Sequence, residues 1–167
     1  HAGLQRARDG EGHTRATHAL ACGEGMERGE NPHNSVLEGN SSIGEKLEEA
    51  QKAIYAGAHE LDFVLNYNAF KAGNISLLTD ELSHCAALCL RHHKVVKFII
   101  EVAALSNEEI IVISQLIKKV VLENFGEENA KNVFVKSSTG FFKTPASKSN
   151  GATIESMKLI YKNAKPL

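Results

Sequence analysis

Three ionisable side chains lie in strongly β-prone runs, where a charge is out of place. Asp62 sits in Leu61-Asp-Phe-Val-Leu-Asn-Tyr67, Lys97 in Val95-Val-Lys-Phe-Ile-Ile-Glu101, and Lys136 in Asn132-Val-Phe-Val-Lys136. A charged group on a strand face is costly unless it is paired or working. The spacings are 35 positions from Asp62 to Lys97 and 39 from Lys97 to Lys136. Each is about one strand–helix unit of a parallel α/β fold, so neighbouring strands would bring all three groups to one end of the sheet. An acid beside two lysines suggests Schiff-base chemistry, with one amine as nucleophile. An amine that bonds carbon must be uncharged, a state favoured by burial and by a nearby cation. Ser137, Ser138, Thr139 and Gly140 follow Lys136 directly, offering hydroxyls and a permissive backbone where a substrate could dock. Plainer roles stay open for each group. Lys136 could snorkel from a strand end. Asp62 could be a structural hydrogen-bond partner, Lys97 its ion-pair partner, and Glu101 a structural group at a strand end.

The elements that must position these groups alternate. Ser42-Ile-Gly-Glu45 is a capping box, and Leu47, Ala50 and Ile54 follow at helical spacing until Gly57. After the Asp62 strand, Lys71-Ala-Gly-Asn74 reads as a turn. Ile75, Leu78, Leu82, Cys85 and Cys89 then step by three and four, predicting a helix to about Arg91. Ser106-Asn-Glu-Glu109 is a second capping box, leading Ile110, Ile113, Ile117 and Val120. Residues 124–131 read as a loop ahead of the Lys136 strand. Residues 142–151 form a polar loop with Lys143, Pro145 and Lys148, and Thr153 caps a last helix through Ile154, Met157, Ile160 and Tyr161. This order predicts an α/β fold with parallel strands and right-handed crossovers.

From about Gly39 to Pro166 the chain resembles the deoxyribose-phosphate aldolases, class I aldolases on a TIM (β/α)8 barrel. The resemblance rests on Gly39-Asn-Ser-Ser-Ile-Gly44, Gly57-Ala-His-Glu-Leu-Asp-Phe-Val-Leu-Asn-Tyr67, Lys71-Ala-Gly-Asn74, Val96-Lys-Phe-Ile-Ile-Glu101, Phe134-Val-Lys-Ser-Ser-Thr-Gly140 and Gly151-Ala-Thr153. It implies a partial barrel over residues 39–167 and reversible cleavage of 2-deoxyribose 5-phosphate to acetaldehyde and glyceraldehyde 3-phosphate. It makes Lys136 the Schiff-base lysine, Asp62 the catalytic aspartate and Lys97 the lysine beside the nucleophile. Thr139 and Gly140 would help hold the substrate phosphate. No cofactor or metal is implied. A further active-site lysine of the family lies on a strand that would follow Leu167. Two other readings stand beside this one: a non-catalytic relative that binds through exposed barrel edges, and another Schiff-base lyase on a barrel.

Composition sets the outer bounds. The chain has 167 residues and a formal net charge of −1, so nothing favours nucleic acid or an anionic membrane as partner. No apolar run is long enough to span a bilayer, and the first thirty residues lack the apolar core of a signal peptide. Cys22, Cys85 and Cys89 make neither a disulfide framework nor a zinc pattern, which fits a reducing, cytoplasmic setting. Cys85 and Cys89 read as small core residues. His1, His13, His18 and His33 have no metal-ligand spacing. Residues 1–38 are Arg- and Gly-rich and contain no Ile, Phe or Tyr, which predicts a poorly ordered or atypical segment. The family's first two strands would belong there, and no strand is legible in it. Exposed edges of the partial barrel would favour homo-oligomers.

Overall fold

The computed structural model describes residues 18–20, 39–145 and 149–167. Cys22, His1, His13, His33 and Lys148 lie outside them. Strands β1 (His18–Leu20), β2 (Glu60–Val64), β3 (Val95–Ile99) and β4 (Val133–Lys136) form one parallel sheet in that order. β1 falls in the segment where the sequence shows no strand; it pairs its three residues with Glu60, Leu61 and Asp62. Helices fill the crossovers: α1 (Ile43–Tyr55), α2 (Tyr67–Lys71), α3 (Ile75–Arg91), α4 (Asn107–Phe125), α5 (Glu127–Ala130) and α6 (Ile154–Ala164). Neighbouring long helices touch in sequence order, α1 with α3, α3 with α4 and α4 with α6. A closed barrel of this type needs eight strands.

Pleating divides the sheet into two chemically different faces. Leu61, Phe63, Val96, Phe98 and Val133 are buried on the helix-covered face. The opposite face carries Glu60, Asp62, Lys97, Phe134 and Lys136. The register sets Asp62 beside Lys97 and Lys97 beside Phe134, and puts Lys136 beside Ile99 and Val64. Phe134 is 44% exposed there.

The helices follow their apolar stripes. In α3, Leu78, Leu82, Cys85 and Cys89 are fully buried, whereas Ile75 at its first turn is exposed. Burial raises both thiols, Cys89 to about 12. Ile110, Ile113, Ile117, Val120 and Val121 carry α4 into the core. Ser42, Ser106 and Thr153 close capping boxes at α1, α4 and α6. In α6 Ile160 is buried, while Ile154, Met157 and Tyr161 are exposed.

Two strand runs end sooner than β-propensity alone suggests. Asn66 leaves the strand because its side chain accepts the Ala69 N–H at 2.9 Å and caps α2. Glu101 leaves because its backbone turns left-handed, with φ +53°. α5 occupies part of the stretch read as a loop, and α2 precedes the turn at residues 71–74.

Candidate active site

Asp62 and Lys97, midway along β2 and β3, come together with Lys136 at the carboxyl end of β4. Lys136, the last residue of β4, donates from Nζ to Asp62 Oδ2 at 2.7 Å. Lys97 Nζ lies 3.8 Å from Asp62 Oδ1. Asp62 is buried, while the Lys136 side chain is 33% exposed and therefore open to a substrate. Among the described residues the buried Oδ1 atom has no hydrogen-bond partner. A buried carboxylate oxygen left in that condition can accept from a water or a substrate hydroxyl.

Glu60 belongs to the same cluster and was not singled out from the sequence. Lys97 Nζ donates to Glu60 Oε2 at 2.5 Å, closer than to Asp62. The charges thus alternate as Glu60, Lys97, Asp62 and Lys136. Lys97 is no lone cation pressing on Lys136, since Glu60 offsets much of its charge. The one signal for Glu60 in sequence was its position two residues before Asp62, on the same strand face.

Thr139 and Gly140 follow on the turn beyond β4. Gly140 has φ +84°, a backbone setting that suits glycine. The Thr139 hydroxyl and N–H both donate to Glu101 Oε2, at 2.7 and 3.1 Å. Its hydroxyl is therefore engaged by a carboxyl in this structure rather than turned outward to an anion. Glu101 is fully buried, and burial raises its carboxyl above the usual range, outweighing the opposing Thr139 hydrogen bonds. Phe142, further along the loop, meets Tyr67 edge-on at 6.2 Å and brings that loop across the end of β2.

Beneath the site lies a buried ion pair that the sequence reading passed over. Lys46 of α1 donates to Glu81 of α3, to the Val64 carbonyl at 2.7 Å and to the Gly39 carbonyl at 3.1 Å. Glu81 also accepts the Asn66 N–H at 3.2 Å. These bonds tie the carboxyl end of β2, one strand wall of the site, to two helices. The available signal was a charge on the buried side of each helix: Glu81 three residues past Leu78, Lys46 four before Ala50.

No family model matches the chain. The deoxyribose-phosphate aldolase of Treponema denticola is 33% identical over 127 residues, covering 76% of this chain and 51% of the relative. The Streptococcus pneumoniae protein of the same name is 34% identical over 122 residues, covering 73% and 47%. Among solved structures, the aldolase QR15 superposes with a TM-score of 0.61 at 29% identity, over 79% of this chain and 52% of that one. A candidate deoxyribose-phosphate aldolase from Coccidioides immitis gives 0.62 at 28% identity, over 78% and 44%. The chain spans about half the length of the curated relatives it matches.

Proposed function

We propose, from the premise that this chain is kin to the deoxyribose-phosphate aldolases over the central part of their barrel, that it carries the Schiff-base half of their chemistry. The substrate is 2-deoxy-D-ribose 5-phosphate in its open-chain aldehyde form. Lys136 is the nucleophile, Asp62 moves its proton, and Lys97 with Glu60 sets the charge around Asp62. The observation that carries the reading is the 2.7 Å contact between Lys136 Nζ and Asp62 Oδ2, with the amine accessible at the end of a parallel strand.

Asp62 takes a proton from the Lys136 ammonium, and the freed amine adds to the aldehyde carbon. Asp62 returns that proton to the carbinolamine hydroxyl, which leaves as water and gives an iminium. The C3 hydroxyl then gives its proton to Asp62 while the C2–C3 bond breaks, and that electron pair moves into the iminium to leave an enamine. Glyceraldehyde 3-phosphate departs. Protonation at C2 and addition of water then release acetaldehyde and the amine. Positioned proton transfers of this kind contribute roughly 10²–10⁴-fold each. Thr139 and Gly140 are the proposed contacts to the phosphate, which requires the Thr139 hydroxyl to turn from Glu101 or to receive the anion beside a protonated carboxyl. No metal or organic cofactor enters any step.

The buried free thiols of Cys85 and Cys89 accord with a reducing, cytoplasmic setting and a role in deoxyribonucleotide and carbohydrate catabolism. Among the described residues no helix is long and apolar enough to cross a membrane. Homo-oligomerisation through the outer strands is part of the same proposal.

The test is chemical. Incubation with acetaldehyde and borohydride should fix one ethyl group, mapped by mass spectrometry to Lys136. Asp62→Asn should slow that labelling by about 10²-fold. Labelling that is absent from Lys136, or equal on Lys97, refutes the assignment.

A further inference from the structure

Glu101 combines three features that are each unfavourable. It is fully buried, its backbone is left-handed at φ +53°, and among the described residues its Oε1 has no hydrogen-bond partner. Such features persist only where the surroundings over-determine them, and they gather at sites where geometry matters. Here the surroundings are the segment that carries the nucleophile. The Ile100 N–H donates to the Lys136 carbonyl at 3.0 Å, and the Val102 N–H to the Ser137 carbonyl at 2.8 Å. Glu101 lies between these two bonds. Its Oε2 reaches the next turn, accepting the Thr139 N–H at 3.1 Å and hydroxyl at 2.7 Å. The Thr139 oxygen in turn accepts the Phe141 N–H at 3.1 Å. Main-chain bonds thus hold residues 136 and 137, and the carboxyl holds residue 139, whose hydroxyl in turn holds residue 141.

We propose that Glu101 is a positioning residue for Lys136: through Thr139 it locks the turn at residues 137–141, and so holds the amine and the neighbouring hydroxyl in reacting geometry. The inference rests on the Schiff-base reading and adds to it a residue that touches neither substrate nor amine. It accounts for a buried glutamate just past the end of β3. An apolar side chain of similar size would fill the space without the left-handed backbone's second partner, the turn.

Two measurements on the full chain separate the lock from the chemistry. The first is amide hydrogen exchange at Thr139 and Phe141, which needs no turnover. The second is the rate of borohydride trapping of acetaldehyde on Lys136. In Glu101→Ala both amides should exchange faster while those of β4 keep their protection. Trapping should fall by about 10-fold or more, since displacements near 1 Å cost up to ~10²-fold. In Glu101→Gln the amide oxygen still accepts from Thr139, so both measurements should stay within about 3-fold of the starting protein. That rescue distinguishes a hydrogen-bonded lock from mere filling of space. Where Glu101→Ala fails to fold, Thr139→Val removes the hydroxyl alone and should release Phe141 and slow trapping in the same way. Unchanged exchange in Glu101→Ala, or in Thr139→Val at Phe141, overturns the lock. Released amides with an unchanged trapping rate overturn the positioning role. If the unaltered chain is not trapped at all, the Schiff-base reading fails and the positioning role with it, while the exchange data still judge the lock.

Discussion

Two buried carboxyls govern how the fold responds to pH. Burial lifts Glu101 above the usual carboxylate range against the lowering effect of Thr139, and lifts Glu81 against the lowering effect of Lys46. A raised carboxyl keeps its proton in the native state at pH values where the unfolded chain has lost it. Its stabilising contribution is complete below an unfolded value of ~4.3 and is lost as pH rises through the folded one. Glu101→Gln removes that loss and keeps the acceptor for Thr139. Its urea midpoint should exceed that of the unaltered chain at pH 7.5, and the two should converge as pH falls toward 4. An equal gap at both pH values would show that the carboxyl's ionisation is not the cause. A glutamate that lowers stability at neutral pH yet holds the turn beside Lys136 fits a functional rather than a structural role. At this scale Asp62, Lys97 and Lys136 were legible because a charge inside a β-prone run is conspicuous. Glu60 was not, because a carboxylate at the start of a strand reads as solvated. The Glu101–Thr139 bond was beyond reach, since it depends on a left-handed turn at a residue type that rarely adopts one.

At the scale of elements, the Lys46–Glu81 pair joins α1 and α3 to the end of β2 through Val64, Gly39 and Asn66. Gly39 completes the junction. Its φ is +71°, and a Cβ there would lie 2.1 Å from the Leu65 carbonyl oxygen, so no other residue fits without moving the strand. Removing one member of a buried pair strands the other charge, at a cost of about 3–5 kcal/mol. Lys46→Met should therefore lower unfolding free energy by roughly that amount. The double change Lys46→Met with Glu81→Leu should recover a large part of it, because no uncompensated charge is left. A double-mutant cycle from urea melts measures this, and additive losses would mean that the pair is not coupled. The long helices were readable from period and capping boxes, which are local signals. α2 and α5 were not, for each is under two turns long and shows no stripe; α2 rests on its Asn66 cap, while α5 has no side-chain cap. The outward face of α6 was not legible for a related reason. Ile154, Met157 and Tyr161 carry a helical period that ordinarily marks a core, yet all three are exposed, with only the Lys165 ammonium set over the Tyr161 ring at 3.8 Å.

For the molecule as a whole, the unresolved physical demand is closure. Four parallel strands leave β1 and β4 as the outer strands among the described residues, with polar backbone along each outer edge. Phe134 is 44% exposed on the face that a barrel would enclose. Barrels of this class close at eight strands, with that face packed by side chains from all sides. Under the proposed homo-oligomer, two copies of the described four-strand sheet would supply eight. A two-fold axis along the barrel would set β4 of each copy beside β1 of the other, parallel in both places, and would bring each exposed Phe134 into a shared interior. The charge cluster permits this approach, since Glu60 and Asp62 offset Lys97 and Lys136 within each copy. The proposal predicts a species of twice 18.2 kDa in light scattering at micromolar concentration. Phe134→Asp should shift it toward the single chain by placing a carboxylate inside the closed interior, while leaving the β2–β3 pairing intact. Trapping on Lys136 should fall in step with dissociation if the enclosed face shapes the site. A mass of 18.2 kDa at every concentration, with trapping undiminished, would show that half a barrel holds Lys136 and Asp62 in place without a partner copy.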